Sequence, residues 1–374
     1  MSPVRKRWKQ VKIPKPLRAP RIHARRIPAL KIPARSRFSG LVGVYSDSGS
    51  FQAGRIATAC RIYRTMLKEK ATICLTLAGA MTPTGMGGLI AQMIEKGGID
   101  WIVATGANVF HDLAYALGMP MYQGHFRVDD AALNKQNIDR IYDIFLAEEV
   151  NIRSDVWLLE ALKPLAGKKM STAEFHYALG KALLEDGVKP ENSMVAAAAK
   201  YDVPIYTSSP GDSEIGMNLG LCRIVGFEFD LDPIQDVVET TAIVNGADKN
   251  GVVIVGGGSP KNFFLQTQPM LKLQCGIDVS GHDYDIQITI DSPHWGGLSG
   301  ATPEEAVSWG KIKPDRLESS VVVYSDTTIA VPIIFGYTLE KGKFSGHKRL
   351  MKKLPALVSK LKKETKISEI MPKL

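Results

Sequence analysis

The stretch ATICLTLAGAMTPTGMGGLIAQMIEKGGIDWIVAT, residues 71–105, decides the fold. Residues 71–77 form a short apolar run rich in β-branched side chains, which reads as a buried strand. A glycine-rich turn at 78–88 follows, then a helical segment at 89–95 and a second apolar run at 100–105 that stops at Gly106. Strand, glycine turn, helix and strand make a βαβ unit, and such a unit needs a parallel sheet with helices on both faces.

The same punctuation recurs on either side. Upstream, 54–70 carries Ile56, Ala57, Cys60, Ile62, Tyr63 and Leu67 at helical spacing. Downstream, 130–200 reads as helical and more polar. Ser171 and Glu174 have the spacing of a capping box, and 193–201 is a strong helix former. Strands follow at 203–208, 251–255, 283–290 and 319–326, with helices near 233–244, 329–339 and 347–363. There is no internal repeat and no linker composition after residue 37. The expected fold is therefore α/β: one doubly wound, mainly parallel sheet in a single domain over 38–374.

Residues 1–37 are different in kind. They hold thirteen Lys and Arg, six Pro and no Asp or Glu, so the formal charge of +9 belongs to this segment. The remaining 337 residues carry 34 basic and 38 acidic side chains. Proline blocks helices and like charges repel, so 1–37 reads as a disordered, solubilising or subunit-embracing arm. Its sparse aromatics, Trp8 within it and Phe38 just beyond it, offer little for nucleic acid. No apolar run reaches the ~20 residues that span a bilayer, and no signal-peptide pattern follows the start. Cys60, Cys74, Cys222 and Cys275 are too scattered for a clustered zinc site, and the expected setting is reducing and cytoplasmic.

In an open parallel sheet, ligands collect beyond the carboxyl ends of the strands. Five turns belong there: 78–88, 105–112, 209–216, 256–262 and 325–328. Gly256-Gly257-Gly258 would let backbone approach a pyrophosphate, although it lacks the full Gly-x-Gly-x-x-Gly spacing and, taken alone, reads more readily as a purely structural turn. His111 and His294 flank such turns as hydrogen-bonded loop residues or as bases. A separate candidate lies in ATPEEAVSWGKI, 301–312, where Lys311 stands two residues after Trp309 and six after Glu305. A lysine is nucleophilic only when neutral, and an aromatic wall with little water drives off its proton. Imine chemistry or a plain helix-closing lysine are the two readings of that spacing.

At EEAVSWGKI the chain resembles the deoxyhypusine synthase family, and the likeness runs from about residue 40 to 340. Supporting segments are ATGANVFHDL (104–113), VIVGGGSPKNFF (253–264), GGLSGATPEEAVSWGKI (296–312) and VYSDTTIAVP (323–332). The resemblance implies a Rossmann-like NAD-binding fold, a homotetramer, and transfer of the aminobutyl group of spermidine through a lysine imine to an acceptor amine. In the namesake enzyme the acceptor is a lysine of a translation factor. It further implies that Lys311 forms the imine, that Glu305 and Trp309 hold the polyamine with Gly296, Ser299, Asn262 and His111 nearby, and that Gly79, Ala80, Thr105, Gly106, Asp212, Gly257, Asp326 and Thr327 lie in the NAD-binding segments.

The departures concern the substrate. Where the eukaryotic enzymes have two aspartates for the other polyamine amine, this chain has Met217 and Leu298. Asn262 replaces a histidine, and Phe110 and His111 replace a pair of glutamates. Asp212, Glu214, Asp291 and His111 are the polar groups that could compensate. The alternatives are a homospermidine synthase-like enzyme acting on a small amine, and a non-catalytic binding protein on the same fold.

Overall fold

In the computed structural model, which describes residues 35–227 and 229–366, six strands form one sheet in which every pairing is parallel. They are β1 (Thr72–Leu77), β2 (Trp101–Ala104), β3 (Ile205–Thr207), β4 (Asn250–Val255), β5 (Tyr284–Thr289) and β6 (Ser320–Tyr324), in the spatial order β6-β5-β4-β1-β2-β3. The chain builds outward from β1 to β3, returns to lay β4 against the other side of β1, and continues to β6. The order therefore reverses between β1 and β4, where open α/β sheets leave a crevice.

Both faces of the sheet are covered, so its strands read as nearly continuous apolar runs. Ile73, Leu75, Leu77, Val253 and Val255 point into a core shared with α1 (Phe51–Lys68), α2 (Met86–Glu95) and α8 (Thr327–Lys341). Cys74, Trp101, Val103, Val252 and Ile254 point the other way, against α5 (Pro233–Asn245), α6 (Gly258–Leu265) and α9 (Leu350–Glu364). Ser171 and Glu174 form the capping box that the sequence predicts, on a helix over Thr172–Glu185. The proposed arm at 1–37 falls almost wholly outside the described residues.

The polar middle is not all helical. Ile138–Ile141 and Ile144–Ala147 pair as an antiparallel hairpin, joined on its far edge by Tyr122–Gln123. Ile138, Ile141 and Ile144 recur every third residue, which mimics a helical face. The backbone instead reverses at Tyr142, whose φ of 55° is left-handed.

At the crevice the loops are fitted closely. Leu77 pairs with Val255, so Ala78 and Gly256 leave the sheet side by side, and a Cβ on Gly256 would lie 3.2 Å from the Ala78 carbonyl. Its φ of +80° is a second reason for glycine there. The loop after β1 is tied to α3 (Gly106–Ala116) through Asn108. Its Nδ2 donates to Gly79 O (2.7 Å) and Thr105 Oγ1 (2.8 Å), and its Oδ1 accepts from Thr82 N (3.1 Å). Asn108 is buried, so truncation leaves these groups unpaired. Asn108→Ala is expected to lower the unfolding free energy by about 2–4 kcal/mol. Urea melts read this as a lower midpoint with an unchanged slope.

Candidate active site

Lys311 is delivered by a helix that stops abruptly. Helix α7 (Pro303–Ser308) starts with Thr302, whose hydroxyl accepts from Glu305 N, and with Pro303 in the first turn, where a missing N–H costs nothing. It ends in a Schellman turn: Lys311 N donates to Ala306 O (3.0 Å) and Gly310 N to Val307 O (2.9 Å). Gly310 takes the left-handed φ of 66° that this turn demands. The next residues dock on the strand side of the core, where His282 N donates to Lys311 O (2.9 Å), Lys313 N donates to His282 O (3.2 Å) and Ile312 is buried. The order Trp-Gly-Lys-Ile is thus a helix end, a left-handed hinge, the projecting amine and its anchor.

The amine faces a cavity of about 190 Å³ lined by Lys261, Asn262, Asp285, Gln287, Leu298, Glu305, Trp309 and Lys311, among others. Lys311 Nζ donates to Asn262 Oδ1 at 2.8 Å and stands 5.7 Å from the centre of the Trp309 ring. Burial pushes the Lys311 amine below the usual lysine range, and Glu305 opposes that shift by favouring the cation. Lys261 lies deeper. Its Nζ donates to Gln287 Oε1 (2.9 Å) and Ala301 O (2.5 Å), and burial depresses its amine too.

The crevice residues converge without entering this cavity. Gly257 packs so tightly on Ser299 that a Cβ would come within 2.6 Å of it, and Ser299 Oγ accepts from Gly258 N (2.9 Å). Gly106 abuts Ser213 in the same way, Ser209 and Ser259 share a hydrogen bond of 3.3 Å, and Thr327 Oγ1 donates to Met81 Sδ at 3.1 Å. Asp326 caps α8 by accepting from Thr328 N (2.7 Å). Gly79, Ala80 and Asp212 are exposed on these loops, while Thr105 Oγ1 is engaged by Asn108. The buried hydroxyls of Thr207 and Ser208, at the end of β3, have no protein partner.

Asn262, Glu305, Trp309 and Lys311 therefore come together as the sequence anticipates, with Leu298 on the same wall. Gly296, Ser299 and His111 do not line the cavity; His111 lies on α3, with its Nδ1 buried and unpartnered. Met217 is exposed on α4 (Glu214–Ile224), away from it. Asp212, Glu214 and Asp291 are also absent from the lining. Sequence reasoning missed Lys261 as a lining residue, and Asp285 and Gln287 altogether. Their signal was present: Asp285 and Gln287 occupy alternate positions of a strand buried on both faces, where apolar residues belong.

Fold and cavity together define an open parallel α/β protein with a lysine-centred pocket beside its sheet-edge crevice. The chain belongs to the deoxyhypusine synthase family, a family of transferases, whose signature matches residues 40–338. A deoxyhypusine synthase-like protein of Nostoc punctiforme is 44% identical over 334 residues, covering 86% of this chain and 85% of its own. A protein of Methanosarcina acetivorans named "Probable deoxyhypusine synthase 2" is 45% identical over 285 residues, covering 76% and 81%. A crystal structure from Entamoeba histolytica, described as that of "a putative deoxyhypusine synthase", shares the fold, with a TM-score of 0.59 at 17% identity over 86% of this chain and 99% of that one.

The opposed effects of burial and Glu305 on Lys311 yield a direct check. An amine-selective acylating reagent, followed by peptide mass spectrometry, should modify Lys311 half-maximally at a lower pH than exposed lysines. Glu305→Gln should move that midpoint lower still, because the charge favouring the ammonium is gone.

Proposed function

We propose that this chain is an NAD-dependent aminobutyl transferase that carries the butylamine portion of spermidine on Lys311 and passes it to an acceptor amine, a translation-factor lysine in the leading reading. The observation that carries the reading is the Lys311 amine, shifted toward its neutral form and fixed between Asn262 and Trp309 in a cavity that also presents Glu305.

The crevice fits a dinucleotide. Glycines at 79, 256, 257 and 258 bring bare backbone to the reversal point of a Rossmann-like strand order, and the unpartnered Thr207 and Ser208 hydroxyls lie at the same carboxyl end of the sheet, at the end of edge strand β3. Gly79, Ala80, Thr105, Gly106, Asp212, Gly257, Asp326 and Thr327 would hold it. When bound, NAD would supply the acceptor and later the donor of the hydride. Lys311 adds its lone pair to the oxidised carbon, and the aminopropyl amine leaves as the C=N bond to Nζ forms. An acceptor amine then displaces Nζ by the same exchange. Glu305 favours the protonated end of the chain, Trp309 shields the reacting carbon from water, and Asn262 aims Nζ. A homotetramer is proposed by family likeness, and the basic segment 1–37 as an arm outside the catalytic body.

Leu298 on the cavity wall favours one second reading, in which the acceptor is a small amine such as putrescine and the product is homospermidine-like. Product analysis with putrescine against a purified translation factor separates the two. Borohydride reduction after incubation with spermidine and NAD should leave a covalent adduct on Lys311, located by mass spectrometry, and none in Lys311→Arg. A wild-type chain without adduct would refute transfer through Lys311.

A further inference from the structure

We propose that Asp285 is the second anchor of the polyamine: its carboxylate receives a protonated nitrogen of the substrate at the floor of the cavity, in place of the carboxylate that Leu298 does not supply. The inference rests on the reading of this cavity as a polyamine site and names the group that selects a cation with at least two charged nitrogens.

Strand alternation aims Asp285 and Gln287 away from the core that receives Tyr284, Ile286 and Ile288, and toward α6 and α7. Asp285 is 2% exposed and lines the cavity with Lys261, Glu305 and Lys311. Its Oδ1 is buried with no hydrogen-bond partner. Among the described residues, no cationic nitrogen lies within 4.0 Å of its carboxylate. Lys261, the cation that acts on it, directs its ammonium instead at Gln287 Oε1 and Ala301 O. A buried carboxylate without a partner is costly, and protein interiors keep such groups paired. Burial pushes the Asp285 carboxyl up to about 7, with Lys261 pulling it down and Glu304 adding to the rise. An incoming ammonium would relieve that penalty, since a buried cation needs a paired anion as much as the anion needs it. Glu305 is exposed at the rim and Asp285 is deep, so the two carboxylates bracket the cavity from opposite depths. Gln287 holds the floor in place, donating from Nε2 to Gly256 O (3.0 Å) and Ser299 O (2.6 Å). That links the anchor to the glycine turn of the crevice.

The test titrates spermidine by calorimetry into the full chain with NAD present, for wild type, Asp285→Asn and Asp285→Glu. Asp285→Asn should raise the half-saturating concentration about tenfold or more, the worth of a charge-assisted hydrogen bond. Asp285→Glu should recover part of the loss. Thermal melting without spermidine should not fall in Asp285→Asn, because no native partner is removed; a purely structural Asp285 would lower the melt and leave affinity alone. Unchanged affinity in Asp285→Asn would overturn the proposal. The unmodified chain gives an independent answer through spermidine analogues in which each nitrogen in turn is replaced by carbon. At least two nitrogens should each matter by about tenfold, and dependence on one alone would leave Glu305 as sole anchor and overturn the proposal. Borohydride trapping on Lys311 is run in parallel. Spermidine binding without an adduct would refute transfer through Lys311 while the calorimetry still decides Asp285, and a wild-type chain that binds no spermidine overturns the anchor.

Discussion

The parallel pairing of β1 with β4 is the constraint on which the rest of the molecule depends. Six consecutive residue pairs, ending at Leu77 and Val255, bring two strands 178 positions apart in the chain into one register. That pairing creates the reversal of strand order, sets Ala78 beside Gly256 and leaves both following loops on the same edge. Gly256 can hold no side chain there, because a Cβ would press on the Ala78 carbonyl and its φ lies in the left-handed region. The glycine turn then launches α6, whose first turns place Lys261 and Asn262. A shift of one residue in the β1–β4 register would exchange the side chains that the strands send into the two cores and offset Gly256 from Ala78, disturbing the loops that build the pocket.

The cavity is governed by the cost of burying charge. Two lysines share a small apolar-walled space, and burial drives both amines toward neutrality. Their environments differ in a way that separates their roles. Lys261 is locked by Gln287 and a main-chain carbonyl, which suits a fixed structural cation, whereas Lys311 has one side-chain partner, Asn262, and an aromatic neighbour. That difference supports the proposal of Lys311 as the reacting amine. Asp285 and Glu305 supply the opposing charge at two depths, and their separation gives the pocket a polarity that an extended cationic chain can match.

The organisation of the fold was legible because parallel sheets impose a strong pattern: buried strands as apolar runs, glycine turns at their carboxyl ends and helices between. The hairpin at 138–147 escaped, because an isoleucine at every third position satisfies a helical face as well as a strand and the deciding event is a left-handed turn at Tyr142. Within the site, Glu305, Trp309 and Lys311 were legible because they lie in one local motif whose cap, hinge and anchor are contiguous in sequence.

What the sequence by itself determined was this local chemistry and the α/β class, since both arise from residues within a turn or a strand of one another. Tertiary structure alone decided which distant groups share the cavity. It brought Asn262 to the Lys311 amine across 49 positions and set Asp285 in the same cavity as Leu298, and it left His111, Ser299 and Met217 outside. The physical reason is that a strand's register and a helix's entry angle choose which side chains converge, and those depend on contacts between segments far apart in the chain.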